Sequence, residues 1–392
     1  MKNKYAIIVG DGMADRPVAE LGNKTPLEYA NTPNMDALAA GGVVGLVSTV
    51  PEGYPPGSDV ANLSLMGYDP CEFYSGRAPI EAASLGLSLK AEDTAFRCNL
   101  VKIVNETMVD YSAEHISTDD ATAIINELDK ELGSSAVAFY PGISYRHILV
   151  VKNFPDGLTC TPPHDITDRE TAQYMPSGNG QQLIIDLMNK ARSVIKRVYS
   201  SKLYKKSSAT DIWLWGQGKA IKLPLLKKRY GLTGSVISAV DLVRGLGMLA
   251  GLEVRIVDGA TGYLGTNYAG KIAAAQAALA TQSFVYLHVE APDETSHQGD
   301  LQKKIQAIEE FDKYIVGEMR SYQKQHPELR MLIAPDHATP VSIKTHSSEP
   351  VPYIICGSGI TADSSVCYSE NSASGKVPCT GPQLFEHFIR SI

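Results

Sequence analysis

Six residues have the side-chain types and the placing that divalent cations require. Asp11 follows the apolar run "YAIIVG", Asp293 and His297 lie in "HVEAPDETSHQGD" (288–300), Asp336 and His337 follow "RMLIAP", and His346 comes soon after. Asp293 and His297 are four apart, so one helical turn puts both on the same face. Asp336 and His337 are adjacent, which on a turn after a strand can feed two neighbouring ions. Mixed carboxylate and imidazole donors without thiolates suit Mn2+, Zn2+ or Co2+ better than Ca2+ or an all-oxygen Mg2+ cage. Five or six such residues can hold two ions about 4 Å apart, the spacing used for in-line phosphoryl transfer. A lone histidine is more often a core or surface residue than a ligand. What counts is the agreement of three places, each just past a predicted strand, where ligands gather in an open α/β sheet. His288 lies inside its predicted strand and is not taken as a ligand.

Phosphoryl transfer needs a nucleophile, and "PEGYPPGSDVANLSLMGYDP" (51–70) offers Ser58. Pro55-Pro56-Gly57 is a rigid turn, and Ser58 falls where a helix is expected to start. Free backbone N–H groups and the helix dipole favour an anion there. A metal on Ser58 Oγ would lower its pKa and make it a nucleophile. The competing reading is that Ser58 only caps the helix. Other motifs fail. "GTNYAGKI" (265–272) has phosphate-loop spacing, but Ile272 has no hydroxyl for a metal and the loop does not directly follow a strand. "GDGMAD" (10–15) ends in Asp15 where a dinucleotide loop needs glycine, and no G-x-S-x-G elbow exists. The six Lys/Arg between Arg192 and Lys206 read as a solvated helix face.

The elements that must position these residues read as α/β. Strands are expected at "YAIIVG", "DIWLWG", "LEVRIV", "SFVYLHV", "RMLIAP" and "VPYIICG", with helices at about 33–41, 235–250, 270–280, 301–325 and 382–391. Between them the texture changes. "FRCNLVKI" and "SYRHILVVKN" read as strands around a helix over "TDDATAIINELDKELG", which Ser117 or Thr118 would cap, and a second helix covers about 181–206 with Leu183, Leu187, Ala191, Val194 and Val198 on one face. Residues 162–180 read as a long loop. The expected fold is a doubly wound, mostly parallel sheet with a smaller α+β domain inserted: residues 1–90 and 206–392 form the core, 91–205 the insert.

Bulk properties bound the partners. The 392 residues are 44% hydrophobic and 20% charged, with a net charge of -7, which argues against nucleic acid as the main partner. No apolar run approaches the ~18 residues of a membrane span, and Tyr5–Val9 is too short for a signal segment. The six cysteines form no C-x-x-C pair, so a reduced, cytoplasmic protein without disulfides or a thiolate zinc site is expected.

The chain as a whole resembles the cofactor-independent phosphoglycerate mutases of the shorter, archaeal-type branch, in the alkaline phosphatase superfamily. The resemblance rests on "IIVGDGMADRP", "PPGSDVANLSLMGYDP", "GRAPIEAAS" (76–84), "FRCNLV" (96–101), "WLWGQGK" (213–219), "GATGYLGTNYAGK" (259–271), "HVEAPDETSHQGD" and "APDHATP" with His346. It implies an alkaline-phosphatase-like core. It implies Ser58 as the phosphorylated nucleophile, one metal on Asp11, Ser58, Asp336 and His337, and another on Asp293, His297 and His346. Mn2+ is the expected ion, with Mg2+, Co2+ and Zn2+ as alternatives, and no bisphosphoglycerate is needed. The implied reaction moves the phosphate of 3-phosphoglycerate to Ser58 and back to the other hydroxyl, under an inserted domain that excludes water. Arg77, Arg97, Arg146 and Lys219 fall in the family's motif stretches and are the candidates for binding the anionic substrate. "PHDITDRE" (163–170) resembles a family stretch without an assignable role.

Two other classes stay open on sequence alone, since fold does not fix substrate. One is another metal-dependent phosphotransferase or phosphatase of the superfamily, acting on a small hydroxylated metabolite such as homoserine. The other is a binding protein that kept the fold. The oligomeric state is left open.

Overall fold

A computed structural model describes residues 3–200 and 208–390 of the chain. Its strands run in chain order as β1 (Lys4–Gly10), β2 (Gly42–Ser48), β3 (Asp93–Val104), β4 (Thr107–Asp110), β5 (Val137–Tyr140), β6 (Arg146–Lys152), β7 (Leu158–Thr159), β8 (Ser177–Gly178), β9 (Asp211–Lys219), β10 (Gly234–Ile237), β11 (Glu253–Val254), β12 (Phe284–Val289), β13 (Leu329–Ala334), β14 (Val351–Gly357) and β15 (Cys379–Thr380). The chain divides into two compact units, Met1–Tyr74 with Lys222–Ile392, and Ser75–Ile221.

The first unit holds one sheet in the order β11-β10-β12-β1-β13-β14-β2-β15. From β11 to β13 the pairs are parallel, β14 runs antiparallel to both neighbours, and β15 is parallel to β2. Every residue of β12 and β13 is buried. Continuous apolar strands are what a parallel sheet covered on both faces requires. Ile272, Ala275 and Leu279 of the helix Tyr268–Thr281 pack into this core, with Ile308, Phe311 and Ile315. The expected helix over 301–325 runs as Leu301–Glu310, a π segment Phe311–Val316, and Gly317–Gln325. In the π segment, Asp312 carboxylate oxygens accept the Asn34 and Met35 N–H groups at the start of the helix Pro33–Ala40. β1 lies between β12 and β13, so three strands far apart in sequence end side by side.

The second unit is an antiparallel sheet in the order β4-β3-β6-β5, with β9 also paired to β3. Side chains alternate along β3. Phe96, Cys98 and Leu100 join the core formed with the helices Thr118–Leu132 and Gln181–Ser200, which contribute Ile124, Leu128, Ile184 and Ala191. Ala95 faces the other way, onto Ala78 and Ala82 of the helix Arg77–Ser84. Ser117 caps Thr118–Leu132, its side chain accepting the Asp120 N–H.

Several readings change. "DIWLWG" is not in the large sheet. It is β9 and pairs with β3, and with the helix Arg77–Ser84 it sets the second unit at 75–221, against the expected 91–205. Residues 234–237, read as the start of a helix, form β10, and the helix is Asp241–Leu249. β2 was not foreseen. Leu183 is exposed, and Ile184 and Met188 fill the face assigned to it. In the 192–206 basic run, Arg192 pairs with Asp211 and Glu106 and Arg197 with Glu131, while residues 201–206 lie outside the described residues. Among the described residues no helix is long and apolar enough to cross a membrane.

Candidate active site

The three adjacent strand ends deliver the ligand-type residues. Asp11 follows β1 directly, and Asp336 and His337 follow β13. Beyond β12 the chain turns into the short helix Ala291–His297, with Pro292 in its first turn. The i, i+4 spacing does there what the sequence suggested: His297 Nε2 is 3.0 Å from Asp293 Oδ2. His346 Nε2 lies 3.1 Å from His297 Nε2 and 3.6 Å from Asp293 Oδ1. His337 Nε2 is 3.5 Å from both Asp11 Oδ1 and Asp336 Oδ2. All six residues therefore converge in the first unit.

Ser58 is the first residue of the helix Ser58–Leu65, and Gly57 holds the capping position without a side-chain cap. The hydroxyl of Ser58 makes no cap. Its Oγ lies 3.1 Å from His337 Nε2, which sets aside the capping reading.

Three residues not taken as site residues from the sequence lie against the group. Asn62, one turn after Ser58 and fully buried, donates to Ser58 O at 2.8 Å and Asp336 Oδ2 at 2.7 Å, and accepts the Tyr286 hydroxyl at 2.6 Å. Thr339 donates to Asp293 Oδ1 at 2.6 Å, with His337 Nδ1 3.1 Å away. His288, set aside above, places Nε2 3.1 Å from Asp11 Oδ2. The i+4 spacing of Asn62 from Ser58 was the one signal available. Gly12 is required by close approach: its φ is +59°, and a Cβ there would lie 2.4 Å from Asp293 Oδ1 and 2.5 Å from Thr339 Oγ1.

The electrostatics ask for positive charge. Burial first, then the carboxylates of Asp336, Asp293 and Glu290, push the Asp11 carboxyl well above its usual range. Burial works against the charge of Asp293 too, but hydrogen bonds with His297 and His346 outweigh it and hold that carboxyl well below the usual range. Burial pushes the His337 imidazole down. Asp11 Oδ1 and His288 Nε2 are buried without a hydrogen bond. Among the described residues, two groups have ligand atoms within 4.8 Å of one another: Asp293, His337 and His346; and Asp11, His288 and Asp336. Buried carboxylates and imidazoles that converge, with two of their atoms unsatisfied, fit divalent cations.

The four candidate substrate residues belong to the second unit. Arg97 stands opposite Trp215 on β9 and two pairs from the Asn99–Arg146 pair with β6. Its guanidinium lies over the Trp215 ring at 4.7 Å from the centroid and donates to Glu81 Oε1 at 2.9 Å. Arg77 donates to the same oxygen at 2.8 Å. Burial pushes Glu81 up, but Arg97 and Arg77 win and its carboxyl sits below the usual range. Burial lowers Arg97 to about 10, so it stays charged at neutral pH. Arg97 Nε and Arg146 Nε are buried without a hydrogen bond. Two guanidiniums, those of Arg77 and Arg97, thus share one carboxylate, and the charge of Arg146 also acts on it. The 162–180 loop returns His164 against Trp215, ring centroids 5.3 Å apart. Lys219 is not part of this cluster. It donates to Phe154 O at 2.7 Å and lines a separate cavity of about 280 Å³ with Thr94, Pro155 and Gln217.

Comparison with known proteins fits this geometry. Residues 39–199 match the family model described as 2,3-bisphosphoglycerate-independent phosphoglycerate mutase. A protein of Methanosarcina acetivorans carrying that name is 51% identical over 358 residues, 90% of each chain. A solved structure of a Pyrococcus horikoshii protein superposes with a TM-score of 0.79 at 28% identity, covering 99% of this chain and 98% of that one. The cofactor-independent phosphoglycerate mutase of Thermoplasma acidophilum shares the fold, with a TM-score of 0.65 at 23% identity and 99% of each chain covered. With identity at that level over nine-tenths of its length, the chain belongs to the 2,3-bisphosphoglycerate-independent phosphoglycerate mutase family.

Proposed function

We propose that the chain interconverts 3-phosphoglycerate and 2-phosphoglycerate without 2,3-bisphosphoglycerate, passing the phosphoryl group through Ser58. The observation that carries this is the approach of Ser58 Oγ to His337 Nε2, 3.1 Å, at the start of a helix and beside the convergent carboxylates. The ligand sets proposed for two divalent cations are Asp293, His297 and His346, and Asp11, Ser58, Asp336 and His337. Mn2+ is the first choice among Mn2+, Mg2+, Co2+ and Zn2+. Bound there, the cations supply a lowered pKa for the serine hydroxyl and positive charge for the phosphoryl oxygens.

The remaining work falls to the chain. Asn62 ties the Ser58 carbonyl to Asp336, so the nucleophile and a ligand are set by one side chain. Thr339 orients Asp293. Arg77, Arg97 and Arg146 are proposed to neutralise the carboxylate and phosphate of the substrate, since one glutamate leaves their charge in surplus. A cytoplasmic setting suits six cysteines that are all free thiols.

The test uses purified protein, Mn2+ and 3-phosphoglycerate with no bisphosphoglycerate, and follows 2-phosphoglycerate through coupled enolase with free phosphate measured in parallel. Product that vanishes in Ser58→Ala and after chelation, with little free phosphate, is the expected result. No product from wild-type protein with metal bound overturns the substrate. Stoichiometric free phosphate makes the protein a phosphatase.

A further inference from the structure

We propose that His288 is a further ligand of the cation held by Asp11 and Asp336. The inference rests on the two-cation reading above and adds a residue to it. His288 sits one residue before the end of β12, paired with Val9 of β1, and is fully buried. An imidazole inside a central parallel strand must satisfy both ring nitrogens or carry a cost. Nδ1 has its partner, Ser238 Oγ at 3.2 Å. Nε2 has none by hydrogen bond, although it is only 3.1 Å from Asp11 Oδ2. The close approach is therefore not a hydrogen bond. Two donors that share an ion, each at about 2.0–2.2 Å, come this close to one another without facing one another. Asp336 completes the arrangement, since one atom each from Asp11, His288 and Asp336 lie within 4.8 Å of one another.

The support behind the ring fits a ligand. Ser238 Oγ also accepts the Val240 N–H at 3.0 Å, which holds the hydroxyl in place. With the Nδ1 hydrogen given to Ser238, the Nε2 lone pair faces the cation, the arrangement that fixes a ligating imidazole in one tautomer. The Lys271 ammonium donates to the His288 carbonyl at 2.9 Å, which pins the backbone at this point.

The test is a Mn2+-loaded crystal of the wild-type protein with an anomalous map, paired with Mn2+ stoichiometry and affinity by calorimetry for wild type, His288→Gln and Ser238→Ala. An ion within about 2.3 Å of both His288 Nε2 and Asp11 is expected. His288→Gln should weaken one of two ions at least about tenfold, and Ser238→Ala about tenfold, with the other ion unchanged. Circular dichroism checks that both variants are folded, and the wild-type map needs no variant. Two ions in place with His288 Nε2 more than about 3 Å from either would overturn the assignment and leave the two-cation reading standing. No bound ion in the wild-type protein would overturn both.

Discussion

His297 and His346 turn their Nε2 atoms toward each other at 3.1 Å, with Asp293 Oδ2 3.0 Å from the same His297 nitrogen. His297 Nδ1 is 2.9 Å from the Lys344 carbonyl, which can only accept. Nδ1 therefore carries a hydrogen, and in the neutral ring Nε2 is a lone pair. A positive charge must sit among these atoms. Burial opposes a proton on His297, but Asp293 outweighs it and raises the imidazole to about 9. A cation would displace that proton, because metal ligands must be deprotonated. Cation binding should therefore release a proton at pH 7–8. Affinity should rise about tenfold per pH unit below about 9 and level off above it. Calorimetry in buffers of different ionisation enthalpy measures the released protons, and His297→Asn should lower their number by about one.

Asn62 is expected to matter for rate more than for substrate binding. Its amide bridges Ser58 and Asp336, the nucleophile and a ligand proposed above. Asn62→Ala should lower kcat about 10- to 100-fold with KM nearly constant. Leaving the Tyr286 hydroxyl buried without its acceptor should also cost about 1–3 kcal/mol of stability. Steady-state kinetics and denaturation of the same variant separate the two effects.

The candidate ligand residues stood out in the sequence because they cluster past strand ends, where polar residues after an apolar run are conspicuous. Their assembly did not. Nothing local says that β1 lies between β12 and β13, since parallel neighbours are joined through long crossovers. His288 drew no attention as a ligand because it lies inside an apolar run, where a core role is the ordinary reading. β9 was misassigned for a related reason. Asp211–Trp215 are all buried, with helices on both faces of an antiparallel sheet, and that pattern is the same as in a covered parallel strand. β10 is only four residues long, and a short apolar run does not distinguish strand from helix.

A buried ion pair ties the loops that carry the candidate ligands. Lys304 Nζ donates to Asp15 Oδ2 at 2.8 Å, Ala14 O at 3.2 Å and Thr339 O at 2.9 Å, and both side chains are fully buried. The loop after β1 is thereby held to the loop after β13. Lys304→Met should destabilise by about 3–5 kcal/mol, because it leaves the Asp15 charge buried and unpaired. The double variant Lys304→Met, Asp15→Asn should recover part of that loss. Mn2+ affinity should stay reduced in both, because the two loops are no longer joined. Denaturation with and without Mn2+ measures both quantities.

Arg146 offers a direct reading of the substrate assignment. Its Nε is buried without a hydrogen bond, and no ion pair of Arg146 is found among the described residues. Arg146→Met should raise KM about 10- to 100-fold, the loss of a hydrogen bond to a charged group. Unfolding stability should change little. An unchanged KM would remove Arg146 from the substrate residues.

The second unit should be labile to mild acid, and His147 is the reason. Its Nδ1 accepts the Gly142 N–H at 2.9 Å, so the folded ring must be neutral there. Burial first, then the charge of Arg97, lowers its pKa from 6.5 to about 3. Between those values the unfolded chain binds a proton that the folded chain refuses. Stability is full above about pH 6.5 and falls as the pH drops, by about 1.4 kcal/mol per pH unit. Glu81 adds to the loss below the ordinary carboxylate range, because its pKa is also lowered in the fold. Both tryptophans of the chain, Trp213 and Trp215, are in β9, so tryptophan fluorescence reports on this unit. Urea unfolding followed by that signal should show the midpoint falling from pH 7 to pH 5. His147→Gln should flatten the dependence over that interval, and an equally steep slope in the variant would assign the proton to another group.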